Sequence, residues 1–245
     1  MPRYLATVSY DGTAYQGWQT QPTGQTIQDI ITAKLAQILN QPDLKIEGSG
    51  RTDAGVHAYG QTFHFSVDKN LDTGQCIYAL NCLLPLDIHI NSMKLVDDQF
   101  HARMSATGKH YRYVIGTGAS NPFLYRYRDE LKQQLDIDAL QCALNYFIGK
   151  HNFQSFTTKT EDFQLFERTI TQATLTQKEE EIIIDFFGTG FMRYQVRMMV
   201  GILIEIGLNK ISPNKVKELL DYPHHPPVAY KAPACGLFLM EVFYA

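Results

Sequence analysis

Hydrophobic and polar positions change their period several times along the chain, and each period predicts a type of element. Alternation of apolar with polar side chains, bounded by turn residues, is typical of a strand with one buried face. The strands predicted in this way are residues 3–10, 45–48, 61–67, 87–95, 109–117, 168–176, 182–187 and 237–243. The acidic run at 179–181 is predicted to be the solvated tip of a hairpin between two of them.

Helical spacing governs the segments between these strands. Thr26 opens the first helix, with Asp29 three residues later, and its apolar residues continue to Leu39 on one face. Further helices are predicted at 73–83, 138–148 and 192–206, and Ser212-Pro213 caps another.

Strands and helices alternate in two successive groups, and the groups share no detectable sequence repeat. A sheet with helices on it is the usual way to bury such elements. The simplest architecture is therefore two sheet-plus-helix halves around a shared cleft.

Length and composition restrict the class of protein. The chain has 245 residues, 44% of them hydrophobic, which suits one large domain or two ordinary ones. No apolar run is long enough to cross a bilayer, so we expect a cytoplasmic protein that does not associate with a membrane. The four cysteines are scattered and form no Cys-x-x-Cys pair, which indicates buried thiols rather than a zinc site or disulfides.

Basic residues are concentrated in one part of the chain. The net charge of −3 argues against a general polyanion binder, yet residues 99–128 contain no acid. Five cations lie there among tyrosines and phenylalanines: Arg103, Lys109, Arg112, Arg126 and Arg128. Cations beside aromatic rings suit RNA, although a tyrosine-rich strand with a charged solvent face has the same composition. Residues 186–201 again lack acids and contain Arg193 and Arg197.

A glycine-flanked turn is the candidate site of chemistry. Asp53 lies between glycines at 48, 50 and 55, with Arg51 two residues before it. Glycine lets a backbone bend sharply and lets another chain approach, and a nearby guanidinium favours the ionised form of a carboxyl group. An Asx turn beside a solvated arginine is the alternative interpretation.

Several other kinds of chemistry have little support. The sequence contains no dinucleotide fingerprint, no Walker lysine, no His-Glu-x-x-His and no Gly-x-Ser-x-Gly. Asp11-Gly12-Thr13 and Asp53-Ala54-Gly55 have a faint similarity to the turns of aspartic proteases. An aspartate-dependent hydrolase using Asp11 and Asp53 therefore stays open as a remote alternative.

Two segments resemble signatures of the tRNA pseudouridine synthase A family. They are Tyr10-Asp11-Gly12-Thr13-Ala14-Tyr15-Gln16-Gly17-Trp18-Gln19 and Gly50-Arg51-Thr52-Asp53-Ala54-Gly55-Val56-His57-Ala58. Other segments similar to that family's motifs follow in order: Phe100-His101-Ala102-Arg103, Lys109-His110-Tyr111-Arg112-Tyr113, Arg168-Thr169-Ile170, Gly190-Phe191-Met192-Arg193-Tyr194-Gln195-Val196-Arg197 and Ala232-Pro233-Ala234-Cys235-Gly236-Leu237. One departure is Gln195, where the family usually has Met.

The resemblance implies an α+β fold. Two ferredoxin-like (RRM-like) halves, residues 1–104 and 105–245, would form a continuous, mostly antiparallel sheet flanked by helices, with a central active-site cleft. The first half would contain the catalytic Asp turn, and the second would contain the Tyr and Arg motifs.

The resemblance also implies isomerisation of uridine to pseudouridine at positions 38–40 of the tRNA anticodon stem-loop, without cofactor or metal. Asp53 would be the nucleophile, Arg197 would pair with it, and Tyr111 would stack on the flipped base. A phenol with a reference pKa of about 10 is a poor base at neutral pH, which favours stacking for Tyr111.

Other basic residues would then bind RNA. Arg51 would occupy the space of the flipped base, or pair with Asp53 alone. Phosphate contacts are expected from Arg103, Lys109, Arg112, Arg126, Arg128 and Arg168. For Arg168, the alternative is that it braces the cleft. Family members are homodimers, so a homodimer is implied as well.

The sequence is compatible with more than one function and more than one reaction route. A non-catalytic RNA-binding or RNA-chaperone module on the same scaffold is the main alternative function. Direct addition of Asp53 at C1′ and a glycal route need the same residues, so both routes stay open. The sequence does not assign the preferred tRNAs, the dimer interface, the extent of motion on tRNA binding, or the roles of His57 and the His224-His225 segment.

Overall fold

The computed structural model describes residues 1–158, 166–223 and 230–245, and these residues form an α+β fold with mostly antiparallel strands. The strands are β1 Arg3–Tyr10, β2 Glu47–Gly48, β3 His57–Ser66, β4 Ile88–Val96, β5 Ala106–Gly116, β6 Asp129–Glu130, β7 Gly149–Asn152, β8 Glu167–Gln177, β9 Glu181–Gly188 and β10 Leu237–Tyr244. The helices are α1 Ile27–Leu39, α2 Thr73–Leu83, α3 Ile137–Asn145, α4 Gln195–Gly207 and α5 Asn214–Asp221. The His224-His225 segment lies outside the described residues.

The chain divides into two compact units. The first comprises Met1–Thr107 with Phe238–Ala245, and the second comprises Gly108–Leu237. Compared with a division at 104/105, the structure moves the last strand into the first unit. The reason is that β10 pairs in parallel with β3, where Phe238 lies opposite His57.

The sheet of the first unit has the strand order β4-β1-β3-β10, with β2 paired to β3. Neighbouring strands are antiparallel except for β3 and β10. Its core combines Trp18, Phe63 and Phe65 with the apolar face of α1, and all of them are buried. The alternation predicted for 3–10 and the helical face predicted after Thr26 are both confirmed.

The start of α1 has the predicted cap. Thr26 Oγ1 accepts a hydrogen bond from the Asp29 backbone N–H at 3.2 Å, and its own hydroxyl donates to Asp29 Oδ2 at 2.5 Å. The carboxylate thus lies in the first turn, where the helix dipole favours a negative charge.

The sheet of the second unit has the order β5-β9-β8-β7, and the short strand β6 runs parallel to β5. The predicted hairpin is confirmed, because β8 and β9 pair antiparallel around 178–180. Four buried aromatic rings pack in its core: Phe147, Phe153, Phe156 and Phe186.

Helix α4 begins three residues later than its apolar pattern predicts. Tyr194 has the left-handed conformation, with φ 63° and ψ 0°, which a helix cannot include. The side-chain oxygen of Gln195 accepts from the Met192 backbone N–H at 2.9 Å and so replaces a helical hydrogen bond. The helix that follows is buried on nearly all sides.

The prediction of buried thiols is wrong for two of the four cysteines. Cys76 is buried and Cys235 is half-buried, but Cys82 and Cys142 are exposed, and all four are free thiols. Each exposed cysteine lies two helical positions after a buried leucine, Leu80 or Leu140. Two positions rotate a side chain by about 200°, to the opposite face of the helix.

No helix within residues 1–158, 166–223 and 230–245 is long and apolar enough to cross a membrane.

Candidate active site

The turn that presents Asp53 lies against the segment 10–19 of the same unit. The backbone N–H of Trp18 donates to the Thr52 carbonyl at 3.1 Å, and the Tyr10 and Thr52 hydroxyls share a hydrogen bond of 2.8 Å. The turn closes through Val56 N–H, which donates to the Asp53 carbonyl at 3.1 Å. Burial raises the pKa of the Tyr10 hydroxyl well above its ordinary value, so it stays a neutral hydrogen-bonding partner. Asp53, half-buried, is therefore held by a fixed backbone.

Glycines allow this close packing. A Cβ on Gly12 would overlap the Val56 carbonyl, and a Cβ on Gly17 would lie 2.5 Å from the Thr52 carbonyl oxygen. Gly55 has a φ of 77°, as expected for the bend after Asp53. Gly48 was expected to let another molecule approach the backbone. Instead it makes room for the Trp18 indole, which a Cβ at this position would overlap. Close approach at Gly12, Gly17 and Gly48 is thus made by the protein's own chain.

Arg51 is exposed, and its Nε donates to Gln19 Oε1 at 3.1 Å. It forms no ion pair with any residue of the described ranges. The alternative that Arg51 only pairs with Asp53 therefore does not fit the structure. The guanidinium is presented beside the turn on the solvent side.

Asp11 is committed to its own turn. Its Oδ1 accepts from the Thr13 backbone N–H at 2.9 Å and from the Thr13 hydroxyl at 2.5 Å, and it lies 3.0 Å from His57 Nδ1. His57 is buried, its Nδ1 accepts from the Gly12 backbone N–H at 3.1 Å, and its ring stacks on Phe238. These contacts give both residues a structural use and weaken the hydrolase alternative, which needs a free Asp11 carboxylate.

Tyr111 lies on β5 in the second unit, opposite Phe186 of β9. Its ring is largely buried, and Phe191 packs edge-on against it with 5.0 Å between ring centroids. Such a T-shaped contact fixes the orientation of an aromatic ring. Tyr111 is thus a rigid ring rather than a freely rotating one.

Next to Tyr111 on β5, Arg112 binds an acid of the protein itself. Its Nε and Nη2 donate to the two oxygens of Asp185 at 2.9 and 3.2 Å, and His110 Nε2 lies 2.6 Å from Asp185 Oδ1. Burial alone would raise the pKa of Asp185, but the hydrogen bonds from His110 and Arg112 outweigh it and lower the pKa below its ordinary value. The main contact of Arg112 is therefore an ion pair between the neighbouring strands β5 and β9.

Arg128 is turned inward, although its composition suggested a phosphate contact. The side chain is only 2% exposed, and its Nε donates to Glu130 Oε1 at 2.9 Å. Its Nη1 lies 3.4 Å from Glu181 Oε1 and its Nη2 donates to the Ala119 carbonyl at 3.5 Å. The guanidinium is neutralised and covered within the second unit, which disfavours binding of RNA.

Arg197, in the first turn of α4, is held by the segment after 229. Its Nε donates to the Ala232 carbonyl at 2.7 Å, and the Ala232 N–H donates to the Arg197 carbonyl at 3.0 Å. Its guanidinium carbon lies 5.7 Å from the centre of the Tyr194 ring. Sequence reasoning did not single out Tyr194, because a left-handed backbone at a tyrosine has no sequence signal.

The other expected phosphate contacts differ in exposure. Arg103 and Arg126 are exposed, and Arg126 lies over the Tyr125 ring at 5.6 Å. Lys109 is half-buried, and Arg168 is half-buried with its Nη1 donating to the Glu167 carbonyl at 2.6 Å.

One group of side chains within the described residues has the composition of a metal site. The donor atoms of Glu47, His64 and His101 lie within 4.8 Å of one another. Yet His101 Nε2 contacts Glu47 Oε2 at 3.2 Å, and His64 Nδ1 accepts from the Ala102 N–H at 3.2 Å. Burial and then the proximity of His101 lower the pKa of His64, consistent with a neutral ring that accepts a hydrogen bond. These contacts are accounted for by local structure.

The predicted catalytic residues belong to different units. Asp53 and Arg51 lie in the first unit, whereas Tyr111 and Arg197 lie in the second. The pairing of Arg197 with Asp53 stays a prediction.

Comparison with known proteins gives one consistent result. The family model described as tRNA pseudouridine synthase matches residues 6–104 and 143–245. The chain is 38% identical to the tRNA pseudouridine synthase A of Mycoplasma genitalium, over 100% of this chain and 99% of that protein. It is also 38% identical to the protein of the same name from Exiguobacterium sibiricum, over 100% of this chain and 97% of that one. The corresponding protein of Streptococcus uberis is 36% identical, over 100% and 99%.

Proposed function

Because the chain belongs to the tRNA pseudouridine synthase family, we propose that it isomerises uridine to pseudouridine at positions 38–40 of the tRNA anticodon stem-loop. The observation that carries the proposal is the match along both segments that build the Asp53 turn. Segment 10–19 packs on the turn, and the turn fixes a single carboxylate.

The reaction conserves all atoms. The bond from uracil N1 to the sugar C1′ breaks, the base turns, C5 bonds to the same C1′, C5 loses its proton and N1 gains one. A carboxylate suits this step because it can attack or stabilise a cationic C1′, as glycosidase carboxylates do. Asp53 is the residue that we assign to it, either by direct addition or in support of a glycal route.

Arg197 is assigned to keep Asp53 ionised. A guanidinium near a carboxyl group favours its charged form. The two hydrogen bonds with Ala232 support this role, because they fix the arginine at the start of α4.

Tyr111 is assigned to stack on the uracil. Its buried ring and its edge contact with Phe191 support positioning rather than proton transfer.

Arg51 is assigned to the space that the flipped base leaves. Extruding a base costs a few kcal/mol, which a side chain that binds the unpaired partner offsets. The exposed guanidinium of Arg51, bound only to Gln19 within the described residues, supports this assignment.

Backbone phosphates would be bound by Arg103, Lys109, Arg126 and Arg168. Arg112 would contribute less to phosphate binding because it already pairs with Asp185. Arg128 is not among the proposed phosphate contacts because it is buried. A homodimer that binds tRNA in the cytoplasm, without cofactor or metal, completes the proposal.

The proposed architecture is two ferredoxin-like halves that share one sheet around a central cleft. Support comes from the first unit, where the chain order β1-α1-β2-β3-α2-β4 and the antiparallel strand order β4-β1-β3-β2 are those of a ferredoxin-like fold.

Release of tritium from tRNA labelled at uracil C5 tests the function, because only the isomerase must exchange that hydrogen. The native protein is expected to release tritium and Asp53→Ala to release none, while tRNA binding by the variant stays near native. Asp53→Asn and Asp11→Asn form a matched pair, and release is expected to be lost only in Asp53→Asn. Equal loss in both variants would contradict the assignment to Asp53 alone, and a hydrolase would release no tritium even as the native protein. Tight tRNA binding without any release by the native protein would identify a non-catalytic RNA-binding module instead.

A further inference from the structure

Three cations surround one tyrosine ring at the start of α4. The ring centre of Tyr194 lies 3.8 Å from Lys231 Nζ, 4.7 Å from the guanidinium carbon of Arg193 and 5.7 Å from that of Arg197. All four residues belong to the second unit. We call Arg193, Tyr194 and Lys231 the Tyr194 cluster.

Hydrogen bonds bring the cluster together from separate parts of the chain. Arg193 Nη2 donates to the Tyr194 hydroxyl at 2.9 Å, and its carbonyl accepts from the Thr157 hydroxyl at 3.0 Å. Lys231 is positioned by its neighbour Ala232, which forms two hydrogen bonds with Arg197. Gly201 permits this approach, because a Cβ there would overlap the Tyr230 carbonyl.

Among the described residues, no acid forms an ion pair with the cations of the cluster. In the part of the chain that the structure describes, neither Arg193 nor Lys231 forms an ion pair. Arg112 and Arg128 show the opposite arrangement, each with a carboxylate within 3 Å. An aromatic face stabilises a cation, but it does not remove the charge. Two cations that share one ring still repel each other.

An anion would relieve that repulsion. The cluster also lies at the N-terminus of a 13-residue helix, where the helix dipole adds a partial positive charge. The cations lie against the ring, which disfavours stacking of a base on it. A phosphate group fits this arrangement better than a base, because guanidinium and ammonium groups are its usual ligands.

We propose that the Tyr194 cluster binds a backbone phosphate of the RNA substrate. This inference rests on the proposed function, which supplies the RNA. A phosphate contact contributes affinity without sequence information, and its contribution falls as salt rises. Tyr194 is a positioning residue, since its ring contacts both cations.

Equilibrium binding of a tRNA transcript at several salt concentrations tests the inference. Arg193→Gln and Lys231→Gln are made singly and together in the Asp53→Ala protein, so that turnover does not alter the RNA. Each single change is expected to weaken binding several-fold and to make the slope of log K against log salt shallower by about 1. In the catalytically active protein, the loss is expected in KM rather than in kcat.

Lys178→Gln is the matched control. It removes the same charge from an exposed lysine of the same unit, at the tip of the β8–β9 hairpin beside three glutamates. Affinity and slope in the double variant equal to those of this control would overturn the phosphate site, and a lower melting temperature with native binding would assign the cluster to folding instead. Arg193→Lys, which keeps the charge, is expected to restore most of the binding.

The outcomes separate this inference from the proposed function. Tritium release by the native protein, together with control-like binding by the double variant, removes the cluster alone. Absence of release, together with weakened RNA binding by the double variant, removes the isomerase and keeps the phosphate site.

Discussion

The Asp53 turn and the β5–β9 face hold charged side chains in opposite ways. The turn fixes Asp53 through backbone hydrogen bonds and glycines that admit a second backbone. The β5–β9 face fixes Arg112 by an ion pair with Asp185, and Arg128 nearby is held by Glu130 and Glu181. Backbone packing depends on atomic size, whereas ion pairs depend on pH and on the partner's charge. A site whose carboxylate must react with a substrate benefits from a backbone position that does not depend on pH.

Gly12→Ala is expected to break the backbone-held region with the largest effect. The added methyl group overlaps the Val56 carbonyl, and overpacking of this kind costs about 3 kcal/mol of unfolding free energy or more. Denaturant unfolding measures the loss, and tritium release per folded molecule is expected to fall with it. Gly74→Ala is the control, since its Cβ meets only Asp72 Oδ1 at 3.4 Å and its helical position tolerates alanine. Equal stability of the two variants would contradict the role of close packing.

Arg128→Gln is expected to break the charge-held region with a smaller loss. Removal of one partner leaves two half-buried glutamates, at a cost of about 2–3 kcal/mol, less than for a fully buried pair because both glutamates are partly exposed. The salt dependence of tRNA binding is expected to stay native. Lys215→Gln, at an exposed pair with Glu218, serves as the control for charge removal. A shallower binding slope in Arg128→Gln would return this arginine to the phosphate contacts.

Asp185→Asn is expected to sharpen the comparison through pH, with the smallest effect. Because folding lowers the pKa of Asp185, its stabilisation is present above the unfolded pKa of about 3.9 and is lost as pH falls through the folded pKa. The variant is expected to lose about 1–2 kcal/mol at pH 7 and to lose less than the native protein on acidification. Unfolding curves from pH 7 to pH 3 measure the difference. Asp221→Asn, in an exposed pair with Lys217, is the control, and an equal response of both variants would rule out a special role for Asp185.

Much of the fold was predictable from periodicity. Strand β1, the start of α1 at its Thr26 cap and helix α2 match their predictions because each has a clear local signal. The two-residue strands β2 and β6 are too short to show alternation, and β6 was not predicted. The start of α4 was misjudged because a left-handed Tyr194 interrupts an apolar pattern that continues through it.

The candidate site was predictable only in part. The glycines around Asp53 identified a sharp turn, but the sequence does not tell whether a glycine admits a nucleotide or another strand of the same protein. Gly48 illustrates this, since its partner is Trp18. Charge composition likewise could not separate the buried Arg128 from the exposed Arg126. Glu130 is near both arginines in the sequence, and Glu181, the second acid that binds Arg128, lies 53 positions away from it.

The pairing of β10 with β3 has a consequence for synthesis. Phe238 lies 181 positions after its partner His57 (238 − 57), so the first unit cannot complete its sheet when residues 1–107 have left the ribosome. At usual translation rates the wait is on the order of 10 s or more. During that time, the edge of β3 that follows the Asp53 turn is unpaired. In nascent chains this edge is therefore open to chaperones and to misassociation.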